Sequence, residues 1–112
     1  MQENDNIRIA LVEDNPVNRN TFRQSIQHNA EYKLIFVATN GNECLAELEG
    51  RPLGLMPHII FVDIEMPLLN GIETIGIAKS IYPDIHFIVL TVFDDDEKIF
   101  EAIKAGASGY LL

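Results

Sequence analysis

Basic residues are scarce in this chain: eight lysines and arginines stand against seventeen aspartates and glutamates, a formal charge of −9 over 112 residues. Such a surface repels phosphate backbones, which argues against direct nucleic-acid binding by this segment. It suits a cation site, a basic partner surface, or plain solubility. Cysteine is nearly absent. Cys44 stands alone, so no disulfide forms within the chain and a reducing compartment is expected. His28, His58 and His86 lack ligand spacing, which leaves no zinc site to propose. The opening MQENDN has neither the basic nor the apolar region of a signal peptide. No apolar run reaches membrane-spanning length. A soluble, cytoplasmic domain without a membrane partner is the expectation.

What is present is core material. Hydrophobic residues make up 47% of the chain, enough for a globular fold, and the length suits one domain rather than two. Five short apolar runs recur: IRIALV (7–12), YKLIFVA (32–38), HIIFV (58–62), HFIVLTV (86–92) and GYLL (109–112). They are rich in Ile, Val, Leu and Phe and mostly do not alternate with polar residues. Strands buried on both faces of a parallel sheet have that appearance.

Helix punctuation lies between the runs. Asn15-Pro16 offers a cap followed by the first helical position, and a helix to about Asn29 follows with only a weak apolar stripe (Val17 with Thr21, Phe22 with Ile26). A second helix follows Gly41, over NECLAELEG, and stops at Gly50, with Leu45 and Leu48 three apart. A third starts at Gly71 and stops before Pro83, weakened at Gly76 by about 1 kcal/mol. For the fourth, Asp94 and Glu97 stand in capping-box spacing, Ile99, Phe100 and Ile103 make a face, Lys104 falls in the last turn and Gly106 closes it. The acidic run 94–97 is therefore read as helix capping, not a second metal site. EGRPLGLMP (49–57) reads as turn, and Cys44 as inert packing. Strands alternating with helices at this pace predict βαβ units with helices on both faces of the sheet.

Open parallel sheets bind ligands beyond the carboxyl ends of their strands. Those ends carry Glu13 and Asp14 after the first strand, Asp63 after the third and Thr91 near the end of the fourth. Two carboxylates about 5 Å apart repel by roughly 3 kcal/mol at an effective dielectric near 20. A cluster of three calls for a neutralising divalent cation, and an all-oxygen donor set fits Mg²⁺. The remaining acid can then serve as a nucleophile toward phosphorus.

Glu13-Asp14, the VDIEMP turn around Asp63, Leu90-Thr91 and AGASGYLL (105–112) occur in the order seen in two-component signalling. Along its whole length the chain resembles the receiver domain of a response regulator, and its last third resembles the NarL/LuxR kind joined to a helix-turn-helix output domain. The resemblance implies a flavodoxin-like, doubly wound five-stranded parallel sheet of strand order 2-1-3-4-5. It implies that Asp63 accepts a phosphoryl group from a sensor histidine kinase or a phosphotransfer protein. It further implies Mg²⁺ (or Mn²⁺) held by Asp14, Asp63 and the backbone carbonyl of Glu65, with Glu13 acting through a water. Thr91 would bind a phosphoryl oxygen and Tyr110 would be the switch aromatic. Activation would favour a receiver homodimer, and DNA would be reached only through an output domain outside residues 1–112.

One departure stands out. The family follows its switch aromatic with a lysine, on the pattern GYLLK, and this sequence stops at Leu112. Lys104, placed in helix four, does not substitute. The family's final helix also lies past that point, so the expectation is a receiver domain cut before that helix, with apolar sheet surface left open to association. Two other readings compete with the phosphorylation switch. A phosphatase of the haloacid dehalogenase type wants an acid two residues past its nucleophile, where this chain has the longer Glu65, and then a hydroxyl or β-branched residue where it has Pro67. A pseudo-receiver that only binds partners gains weight solely from the missing lysine.

Overall fold

A computed structural model of the chain describes residues 6–64, 70–90 and 96–111. Five strands, β1 (Ile7–Val12), β2 (Tyr32–Ala38), β3 (Ile59–Asp63), β4 (His86–Leu90) and β5 (Gly109–Leu111), alternate with four helices. These are α1 (Pro16–Gln27), α2 (Gly41–Glu49), α3 (Gly71–Ile81) and α4 (Asp96–Ala105). Every strand pairing is parallel and the order is β2-β1-β3-β4-β5. This is the doubly wound, flavodoxin-like sheet that the resemblance implied. Its crevice lies where the order reverses, beyond the carboxyl ends of β1 and β3.

α1, α2 and α3 each begin where a side chain can take up free N–H groups. Asn15 Oδ1 accepts from Val17 N (2.8 Å) and Asn18 N (3.2 Å) ahead of α1, and Asn40 Oδ1 accepts from Glu43 N (2.9 Å) ahead of α2. At α3 the cap is a full box that the sequence reading did not pick out: Asn70 and Glu73 exchange side-chain-to-backbone bonds. The capping box expected from Asp94 lies outside the described residues, and α4 is described from Asp96.

The main core fills one face. Ala10, Val12, Phe36, Ala38, Ile60, Val62, Phe87 and Val89 pack from the sheet against Cys44, Leu48, Ile75, Ala78 and Ala102 of α2, α3 and α4. Burying a side chain such as Phe87 or Ile60 stabilises by about 1.5–3 kcal/mol. α1 lies on the opposite face, where Phe22 meets Phe61 with ring centroids 4.9 Å apart.

Here the expectation of strands buried on both faces needs correcting. Ile9–Val12 of β1 are buried on both sides, whereas β3 and β4 alternate between buried and half-buried residues. Phe61, Ile88 and Leu90 fall on the side of α1, and α1 itself fully buries no residue. A continuous apolar run therefore overstates how evenly the two faces are covered. β3 also sits one residue later than expected, so Asp63 is itself the last strand residue and pairs with Leu90.

Of the glycines that follow α2 and α4, only Gly106 holds a position that another residue would strain. Gly106 adopts φ +126° just after α4, and a Cβ there would come within 2.7 Å of Lys79 Cγ. Lys79 lies across that point because its ammonium donates to the carbonyls of Pro83 and Ile85, both at 2.7 Å. Gly50, expected to stop α2, is right-handed at φ −81°, so no left-handed turn requires it. EGRPLGLMP carries a single 3₁₀ turn at Leu53–Leu55. Among the described residues, no helix is long and apolar enough to cross a membrane.

Candidate functional site

β1 delivers the first two acids. Its registers with β2 and β3 both end at Val12, and the Glu13 N–H bond to Ala38 O (3.0 Å) completes the β2 side. The chain then turns into α1, leaving Glu13 buried and Asp14 exposed at the top of the sheet. The Glu13 carboxylate accepts from the Asn15 N–H at 3.2 Å, so the residue that caps α1 also orients the acid. Arg19 folds back from the first turn of α1, and its Nη1 donates to the carbonyls of Asp14 (2.8 Å) and Glu13 (3.1 Å).

β3 delivers the third acid. Asp63 ends the strand, one residue past the Val62 that pairs with Val12, and is half-buried. Glu13, Asp14 and Asp63 each offer a carboxylate oxygen, and these oxygens lie within 4.8 Å of one another. Acids fifty residues apart in sequence thus meet at one point. The donors are all hard oxygens, anionic and at the sheet's open end, a set that suits Mg²⁺ or Mn²⁺ better than zinc.

The α3 start closes against this point. Gly71 N–H donates to Ile64 O (3.3 Å), and a Cβ on Gly71 would overlap the Asp63 carbonyl oxygen. In sequence, Gly71 reads only as a helix start. Its signal as part of the site is spatial, because the crowding comes from β3. Arg19 was likewise passed over, although a cation in the first turn sits badly with the positive end of the helix dipole. That misplacement is a usable clue that its partner lies elsewhere.

Tyr110 lies in β5 opposite Val89, on the side of the sheet shared with α4, and is 47% exposed. Glu65 and Thr91 lie outside the described residues. Glu43 of α2 is held below its ordinary carboxylate range first by a backbone hydrogen bond from Thr39, with the Arg19 charge a smaller contribution in the same direction.

The response regulator receiver domain family matches residues 9–112. The chain belongs to this family. A Bacillus subtilis (strain 168) protein described as the uncharacterized transcriptional regulatory protein YxjL is 36% identical over 108 residues, covering 96% of this chain and 48% of that protein. The oxygen regulatory protein NreC of Staphylococcus epidermidis (strain RP62A) is 31% identical over 109 residues, 95% of this chain and 47% of its own. The receiver thus spans about half the length of the curated relatives it matches. Among solved structures, a LuxR-family two-component response regulator from Aurantimonas sp. SI85-9A1 superposes with a TM-score of 0.84 at 26% identity. That match covers 94% of this chain and 72% of the other. The NarL/LuxR resemblance of the last third is in keeping with these matches. Membership also leaves the phosphatase reading without support.

Proposed function

We propose that this receiver is a phosphorylation switch in which Asp63 accepts a phosphoryl group from the phosphohistidine of a sensor histidine kinase or a phosphotransfer protein. The observation that carries the reading is the convergence of Glu13, Asp14 and Asp63 within 4.8 Å at the carboxyl ends of β1 and β3. A carboxylate oxygen of Asp63 attacks phosphorus, the phosphorus–nitrogen bond breaks, and the histidine leaves neutral after taking up a proton.

Asp14 and Asp63 would hold the divalent cation directly, with Glu13 reaching it through a water and the Glu65 carbonyl as a further donor. The bound cation would screen the incoming phosphoryl charge from three carboxylates. The buried placement of Glu13, fixed by the Asn15 N–H, suits a residue that orients a water rather than one that reaches outward. Thr91 would then bind a phosphoryl oxygen, and Tyr110 would turn inward from its half-exposed position on the α4 side. The two arrangements of that face form an equilibrium that phosphorylation shifts. The shift would favour a receiver homodimer and, through a DNA-binding domain outside this segment, control transcription; the name of the longer Bacillus subtilis relative, a transcriptional regulatory protein, supports the link to transcription.

The test is intact-mass measurement after incubation with acetyl phosphate and Mg²⁺. Gain of one phosphoryl mass by the wild type, absent in Asp63→Asn, is expected. No adduct, or one that survives Asp63→Asn, rejects the reading.

A further inference from the structure

We infer that Arg19 is a positioning residue for the acid cluster: its guanidinium clamps two successive carbonyls and so sets the direction in which Glu13 and Asp14 present their carboxylates. The inference rests on the metal-site reading above and adds to it a residue that contacts neither metal nor phosphoryl group.

The clamp acts where the sheet stops supplying partners. β1 is in register with its neighbours only to Val12. The carbonyls of Glu13 and Asp14 lie past that point, and Arg19 Nη1 is their donor at 3.1 and 2.8 Å. The same short segment is tied twice more. Asn15 N–H donates to the Glu13 carboxylate (3.2 Å), and Arg19 N–H donates to Asn15 O (3.0 Å). Residues 13–19 thus form a closed set of bonds in which the side chain of Glu13 and the main chain beneath Asp14 share one anchor. Arg19 sits fourth in α1, near the positive end of a helix with no acid in its first turn. A cation there is disfavoured by the dipole, and the two carbonyls give it a compensating partner.

Charge and position predict opposite signs. A guanidinium bonded to the main chain of Glu13 and Asp14 brings positive charge to the site and repels an incoming cation, so a residue acting only through charge would strengthen Mg²⁺ binding when removed. A clamp would weaken it. Groups that orient metal ligands typically change metal affinity by 10–100-fold when lost. For Arg19→Met, Mg²⁺ binding by calorimetry is expected to weaken about tenfold, with little change in the metal-free melting temperature. Arg19→Lys, which keeps the charge and donors on a shorter stem, falls between that variant and the wild type.

Equal or tighter Mg²⁺ binding by Arg19→Met overturns the inference. If that variant fails to fold, Arg19→Lys decides by the same criterion, weaker binding upholding the clamp and equal or tighter binding overturning it. A wild type that binds no Mg²⁺ sinks the metal reading instead. In that event, amide exchange of Asn15 in metal-free protein tests the clamp alone. Faster exchange at that N–H in Arg19→Met upholds it, and unchanged exchange overturns it.

Discussion

Gly71 and Asp63 are packed so closely that any side chain at position 71 would collide with the main chain of Asp63. A Cβ at Gly71 would overlap the Asp63 carbonyl oxygen and lie 2.9 Å from Ile64 Cα and 3.0 Å from Val62 Cγ1. The first two are backbone atoms, which cannot rotate away. The start of α3 is therefore locked to the end of β3, and Asp63 is held from behind.

Gly71→Ala should then cost about 1–3 kcal/mol through overpacking. Urea denaturation should show a lower midpoint at unchanged slope. On the proposed function, the same variant should also lose phosphoryl acceptance, because relief of the clash moves the strand end that bears Asp63.

The other glycines should divide by environment. Gly106→Ala combines φ +126° with the Lys79 stem and should destabilise by about 1–3 kcal/mol. Gly76, inside α3 with open space where a Cβ would project, should behave oppositely. Gly76→Ala should stabilise by about 0.5–1 kcal/mol. Thermal melts of the two variants should bracket the wild type.

Cys44 should be silent toward thiol reagents. Burial, and then the nearby Glu47 charge, push its thiol from an ordinary value of 9.0 to about 12. An unfolded thiol ionises near its ordinary value while the native one resists, so stability should fall as the pH rises from about 9 toward 12. Labelling with a disulfide reagent at pH 8 should proceed only in denaturant.

His58 should make the fold sensitive to mild acid. Its Nδ1 accepts the Arg8 N–H at 2.9 Å, tying the amino ends of β1 and β3. Burial, and then the Arg8 charge, hold its pKa below the ordinary 6.5. The unfolded chain therefore takes up a proton at higher pH than the native one, and stability is lost as the pH falls through 6.5 toward the native value. His58→Asn, which keeps an acceptor but does not titrate, should flatten the dependence of the urea midpoint between pH 7.5 and 5.5.

Mg²⁺ should raise the melting temperature of the wild type. A cation present at ten times its dissociation constant adds about 1.4 kcal/mol of stability. The same concentration should add less to Asp14→Asn, which removes one of the three converging charges. Equal shifts in scanning calorimetry would place the cation elsewhere.

Much of this fold was written locally. Apolar runs of strand length and the Asn15-Pro16 start depend on neighbours a few residues away, so the alternation of strands and helices could be read directly. The acids were legible for a related reason: a carboxylate that ends an apolar run has few places to go except the rim of a sheet. Arg19, Gly71 and the uneven cover of β3 and β4 were not legible, because each depends on what another element brings alongside. A run such as IIFV is equally apolar whether one or both of its faces are packed. The sequence by itself determined the parallel sheet and the identity of the acids, since burial and backbone pairing act on short stretches with few alternatives. Only the tertiary structure decided that oxygens fifty residues apart lie within 4.8 Å and that a guanidinium holds the chain beneath them. Side-chain convergence is set by strand order and register, and those emerge only when the whole sheet has closed on its core.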